Sequence, residues 1–191
     1  RDGLVTGVQT CALPIWLSEL PGADETIFRY IRKTFENQHS IETNFADDDV
    51  LELRQLARKV STEKHRMIEF VRFQKTADET YFAPIDPDHN VIPLIVNHFR
   101  NRYADQEWII YDTRRNYGIH FDKQKMKEVT FDDTSLFKDG KISAHLLADN
   151  EQLFQQLWKR YFKAITIRER INPKLHRQHL PRRYWKYLTE K

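Results

Sequence analysis

Four stretches of the chain carry side chains able to do chemistry. In EKHRMIEFVRF, His65 and Glu69 stand four apart. On a helix they share a face, where an imidazole with a matched pKa could act as general base; a histidine near a helix end needs no such role. PIDPDHN clusters Asp86, Asp88 and His89. Carboxylates beside an imidazole suit a divalent cation, although D-P-D-H-N is also ordinary turn and helix-capping chemistry. Joined by His65 in one concave pocket, these residues would make a nuclease or base-processing centre. YDTRRN sets Asp112 ahead of Arg114 and Arg115 at a hairpin turn. The two arginines are able to grip phosphate bidentately, or to pair with Asp112 itself.

The fourth stretch, WKRYFKAITIRERINPKLHRQHLPRRYWKYL, interleaves rings with cations. Lys159, Arg160 and Lys163 open it, Arg168 and Arg170 follow, then Lys174 and Arg177, and Arg182, Arg183 and Lys186 close it. Backbone phosphates attract such cations, and exposed rings stack on bases. From Gln155 onward 11 Lys and Arg face two acids, Glu169 and Glu190, whereas the preceding chain holds 20 basic and 26 acidic residues. The net charge of +3 conceals this asymmetry. It points to a polyanion-facing end on an acidic body; the alternative is a solvated basic helix face. Most of the rings, Trp158, Tyr161 and Phe162 among them, fall on a helical stripe and are expected in the core. The cations, with Arg114 and Arg115, are then the candidate nucleic-acid contacts.

Other chemistries are excluded by what the chain lacks. Val5–Ile15 reads, codon for codon, like a widely used sequencing-library adapter, so Arg1–Ile15 is expected to be a non-native segment and the chain to be truncated at its N-terminus. A signal peptide would need a basic start and an unbroken apolar run, and Gly7, Gln9 and Pro14 interrupt this one. Cys11 is the only cysteine, so Trp16–Lys191 offers no thiolate for an iron–sulfur cluster, a zinc ribbon, a Cys nucleophile or a disulfide. Its glycines, Gly22, Gly118 and Gly140, are scattered, which removes the phosphate loop and the dinucleotide fingerprint. No cofactor of its own is expected. With 40% hydrophobic and 31% charged residues and a mean hydropathy of −0.72, no stretch approaches the roughly 20 apolar residues of a membrane span. The expected compartment is the cytoplasm.

The elements that must position these residues follow from periodicity. GADETIFRYIRKTFEN predicts a helix with Ile27, Phe28, Ile31 and Phe35 inward, and FADDDVLELRQLARKV a second with Val50, Leu53, Ala57 and Val60 buried and acids at its N-terminus. EFVRFQK and TYFAPI read as a hairpin; PDHNVIPLIVNHFRNRY as a helix with Pro93 in its first turn and Leu94, Ile95, His98 and Phe99 inward. EWIIYDTRRNYGIHF gives two strands about a turn at 113–116, and DKQKMKEVTF a lysine-rich edge strand. DDTSLFKDGKISAHLLADN reads as a loop with a short helix, NEQLFQQLWKRYFKAI as a strongly amphipathic helix, and the end as short turns opened by prolines. The expected class is α+β: one domain over 16–191, an antiparallel sheet of about four strands packed by helices, and a helical basic C-terminal region.

EKHRMIEFVRFQ, YFAPIDPDHNVIPLIVNHFRNR, DQEWIIYDTRRNYGIHF and the tail LWKRYFKAITIRERINPKLHRQHLPRRYWKYL together resemble a bacterial family described as probable DNA-metabolism proteins, built on a domain of unknown function. The similarity covers essentially all of Trp16–Lys191. Members begin further upstream, with a strand and helix, which implies that core positions here lack partners. Their genes typically lie beside one for a radical-SAM protein thought to modify or repair DNA, and some are fused to a uracil-DNA glycosylase-like domain. No catalytic residues are established for the family, so none carry over. The resemblance implies an accessory protein of DNA repair or modification that binds DNA with little sequence preference and works beside the radical-SAM partner, which would hold any iron–sulfur cluster. Two other functions stay open: the enzyme outlined above, and a protein-interaction module whose basic tail meets an acidic surface of that partner.

Overall fold

The computed structural model describes residues 15–37, 41–132, 137–138 and 141–190. The chain forms two compact units, Arg1–His65 with Pro87–Pro93, and Arg66–Asp86 with Leu94–Lys191. Of the adapter-like stretch Arg1–Ile15, only Ile15 lies within the described residues.

The first unit holds helix α1 (Ala23–Glu36) and most of α2 (Asp48–Phe70). Its core gathers Ile15, Ala23, Tyr30, Ile41, Val50 and Leu53, with Ile27, Leu56 and Ala57 packed against them. The expected α2 stripe is present and runs on to Met67. Asp47 receives the backbone N–H groups of Asp49 and Val50 ahead of it, which caps α2. The α1 stripe holds only in part, with Ile27 packed against this core. Ala23, Thr26, Tyr30 and Thr34 face inward, whereas Phe28 and Phe35 are 64% and 79% exposed. Threonine tolerates burial here because its hydroxyl bonds back along the helix, Thr26 to Gly22 O at 3.2 Å and Thr34 to Tyr30 O at 2.8 Å. On the half-buried flank of α1, Arg29 meets Asp49 at 2.8 Å and Lys33 meets Asp47 at 2.7 Å. Both carboxyls are held below their ordinary pKa by the cations that donate to them.

The second unit is built on a five-stranded sheet: β1 (Gln74–Lys75), β2 (Tyr81–Ile85), β3 (Trp108–Asp112), β4 (Tyr117–Phe121) and β5 (Met126–Val129), in that spatial order. Helix α3 (Ile92–Arg102) separates β2 from β3 in sequence, and this long connection lets the two pair in parallel, Tyr81 opposite Trp108 and Ile85 opposite Asp112. The class is α+β as expected; the sheet differs in having five strands and one parallel pair, the others being antiparallel. The strand expected at EFVRFQK shrinks to Gln74–Lys75 because α2 continues through Phe70. On α3, Ile95 and Phe99 are buried but His98 is exposed. Trp108 sits among Phe73, Phe99 and Phe121, with ring centroids 5.4–6.4 Å away. The segment read as a loop holds a second, two-stranded pair, β6 (Phe137–Lys138) with β7 (Lys141–Ile142), and a 3-10 turn at Ala144–Leu146. No helix among the described residues is long and apolar enough to cross a membrane.

Gly118 in β4 is required by a close approach. A Cβ there would lie 2.5 Å from the Ile110 carbonyl oxygen and 2.8 Å from the Tyr111 ring. Gly118→Ala is expected to cost about 1–3 kcal/mol, since the obstructing atoms belong to the central strand. A lower urea midpoint with an unchanged m-value would show it.

Candidate nucleic-acid interface

After the sheet, the chain forms α4 (Glu151–Ile165), a 3-10 turn (Arg168–Arg170), α5 (Pro173–His179) and a final 3-10 turn (Arg182–Tyr187). Asn172 caps α5 by accepting from Leu175 N at 3.0 Å, ahead of Pro173. Ten candidate cations ride on these elements, and all are exposed. At 100° per residue, Lys159, Arg160 and Lys163 share one side of α4. Among the described residues, these three and Arg168, Arg170, Lys174 and Arg177 form no ion pair. The closing turn is different. Lys186 Nζ meets Asp86 at 2.6 Å, Arg182 lies 5.7 Å over the Trp185 ring, and Arg183 lies 4.6 Å over buried Tyr184 and bonds its hydroxyl. His176 stacks on Trp185 from the other element, at 5.9 Å and 23°.

The other side of α4 overturns an expectation. Its rings are not core: Trp158 is 41% and Tyr161 56% exposed, and Leu153, Phe154, Leu157 and Ile165 are exposed too. The helix is tethered at two points instead of being laid flat on the sheet. Glu151, buried at its first turn, accepts from Lys75 N at 3.1 Å, and Trp158 Nε1 donates to Glu190 at 3.0 Å. Arg72 also reaches Glu190, at 3.1 Å. Burial raises the Glu190 pKa, but Trp158 and Arg72 outweigh it and the net shift is downward. Between α4 and the start of β2 and β3 opens a cavity of about 1010 Å³, walled by Phe73, Tyr81, Tyr103, Trp108, Phe154 and Tyr161 among others.

At the β3–β4 turn, Asp112 is wholly buried. It accepts from Arg114 N at 2.9 Å, Arg115 N at 3.1 Å and Arg115 Nη1 at 2.7 Å. Burial pushes its carboxyl pKa up, with Arg115 opposing. Arg115, largely buried, thus serves as the counterion of Asp112, whereas Arg114 is exposed.

Of the four candidate catalytic residues, Asp86, His89 and His65 make side-chain bonds within the fold, and Asp88 is held through its backbone N–H. Asp86 holds Lys186, and the Tyr187 hydroxyl is pushed up in pKa by burial first and by Asp86 next. Glu63, buried on the α2 stripe, accepts from Asp88 N at 2.9 Å and His89 N at 2.8 Å. The His89 ring meets Ser18 O at 3.1 Å, and His65 Nδ1 meets Ser61 O at 2.7 Å one turn back. Among the described residues no group of three His, Cys, Asp or Glu side chains is placed to hold a metal ion. Glu63 escaped sequence reasoning, yet a signal existed: it is an acid at stripe spacing between Val60 and Met67.

Residues 21–190 match the family DUF4130, a domain of unknown function. The chain belongs to this family. The DUF4130 match takes in both units, the basic tail and the cavity walls. No curated protein and no solved structure matches the chain.

Proposed function

We propose that this DUF4130 chain is a nucleic-acid-binding accessory protein of DNA repair or modification in the cytoplasm, holding DNA weakly and without strong sequence preference through its basic C-terminal region beside a radical-SAM partner. The observation that carries the reading is the run of exposed cations from Lys159 to Arg177 that have no carboxylate partner among the described residues. Unpaired exposed cations release counterions when they meet phosphates, which gives affinity that falls steeply with salt. Arg115 and Lys186 are spent on Asp112 and Asp86.

The test is a salt titration of binding to labelled duplex DNA. Six phosphate contacts give a log–log slope of about −5. Changing Lys159, Arg160 and Lys163 together to Glu is expected to flatten that slope by about 3 and to abolish measurable binding at physiological salt. Affinity independent of salt, or unchanged in the triple variant, would overturn the reading.

The apolar side chains exposed on α4 favour a second reading, a protein-interaction module. Nuclease treatment of the complex with the radical-SAM partner separates the two. A complex bridged by DNA falls apart, and a direct one survives.

A further inference from the structure

The cavity beside α4 is a groove with apolar walls on both sides. Leu157 and Tyr161 line it from the helix, and Phe73, Tyr81 and Tyr103 from the rest of the second unit. A contiguous apolar face of this kind marks an interaction site. Its surroundings are basic. At 100° per residue Lys159 and Arg160 flank the apolar half of α4, and neither forms an ion pair among the described residues. The groove therefore suits a partner that is apolar at its centre and acidic around it.

The chain itself exposes such an element. On α1, Phe28 and Phe35 are exposed and Ile31 half-buried, on the side turned away from the inward-facing Tyr30 and Thr34. Their i, i+3, i+7 spacing is that of a helix anchored in an apolar groove, and the outer two stand about 10 Å apart along the axis. Around the same side lie the exposed acids Asp24, Glu25 and Glu36. The first unit as a whole holds 12 acidic and 8 basic residues. We infer that the groove takes α1 of a second copy of this chain, with Phe28, Ile31 and Phe35 as anchors. A polyanion would meet the cations and leave the rings uncovered, and a flat lipid surface would reach one wall only; the α1 stripe answers both walls and the charge. This pairing names a partner for the protein-interaction reading of α4 and rests on it, whereas the nucleic-acid reading is independent of it.

Sedimentation velocity on the whole chain, in buffer free of nucleic acid, tests this. The weight-average mass is expected to climb with concentration above the 23.1 kDa of one chain. A stop at two chains marks reciprocal exchange about a two-fold axis, and continued growth a head-to-tail series; either one supports the pairing. Phe28→Gln with Phe35→Gln removes the anchors, and Leu157→Gln with Tyr161→Gln removes one wall. All four positions are exposed, so neither pair of changes opens a core. Each double variant alone is expected to associate about 30-fold more weakly or not at all, the loss typical of aromatic anchors. An equimolar mixture of the two should regain pairs and stop there, since it holds one intact α1 stripe and one intact groove. A wild-type chain monomeric up to about 1 mM, association that survives either double variant, or a mixture without rescue would each overturn the pairing. A monomeric chain that still enters a nuclease-resistant complex with the radical-SAM partner overturns the second copy and keeps the protein-interaction reading.

Discussion

Asp112→Ala is expected to destabilise the second unit by about 3–5 kcal/mol, the usual cost of removing one partner of a buried ion pair. Asp112 is fully buried and takes three hydrogen bonds, two from the turn backbone and one from Arg115. Alanine takes the Asp112 carboxylate away from the Arg115 guanidinium and unties the β3–β4 turn. Against typical domain stabilities of about 5–15 kcal/mol, a loss of that size brings the unit close to unfolding at 37 °C. Circular dichroism melts of wild type and variant give the result; a loss under about 1 kcal/mol would mean that water or another group takes over the role.

Asp112→Asn separates charge from shape. The native carboxyl pKa is raised from 3.8, so the native state favours the protonated acid more than the unfolded state does. The advantage is complete below the ordinary value and fades as the pH climbs through the raised native value. The stability gap between wild type and Asp112→Asn should accordingly be wider at acid pH than at neutrality. A gap that widens towards neutrality would reverse the assignment.

Glu63→Ala is the second large effect, expected at about 2–4 kcal/mol in the first unit. One carboxylate, buried on α2, holds consecutive backbone N–H groups of Asp88 and His89. Both bonds are charge-assisted, and alanine removes both at once. Glu63→Gln keeps one acceptor and should recover part of the loss. Hydrogen exchange at the Asp88 and His89 amides reads the bonds directly: protection is expected to vanish in Glu63→Ala and to persist in part in Glu63→Gln. Unchanged protection would show that these amides are shielded by something else.

Much of the fold was legible wherever one period ruled a segment. The α2 stripe, the two strands around YDTRRN and the lysine-rich edge strand stand where periodicity puts them. Pairing direction was not legible, because the parallel partner of β2 lies beyond α3 and no local pattern names it. On α1, apolarity pointed to Ile27, Phe28, Ile31 and Phe35; Ile27 does pack against the core, but Phe28 and Phe35 are exposed, and Ala23, Tyr30 and two threonines able to satisfy their own hydroxyls face inward instead. The sharpest departure is α4. Its amphipathic pattern is real, but an apolar stripe states only that a helix has a side to cover, not that this chain covers it. For the candidate site, charge counting located the cations, and the pairing of Arg115 with Asp112, three residues away, was one of the two readings of YDTRRN; the counterion of Lys186, Asp86, lies a hundred residues off in sequence and no local pattern names it.

The parallel pair of β2 and β3 bears on how the second unit assembles. β3 and β4 are neighbours through a tight turn and can zip up as a hairpin within about 1–10 μs, whereas β2 must wait for the long excursion through α3 to bring its partner round. Loop-closure entropy sets that order. Until β2 arrives, the hairpin carries an open edge on the side of Trp108 and Tyr111, and this is the interval in which a nascent chain is most exposed to mispairing.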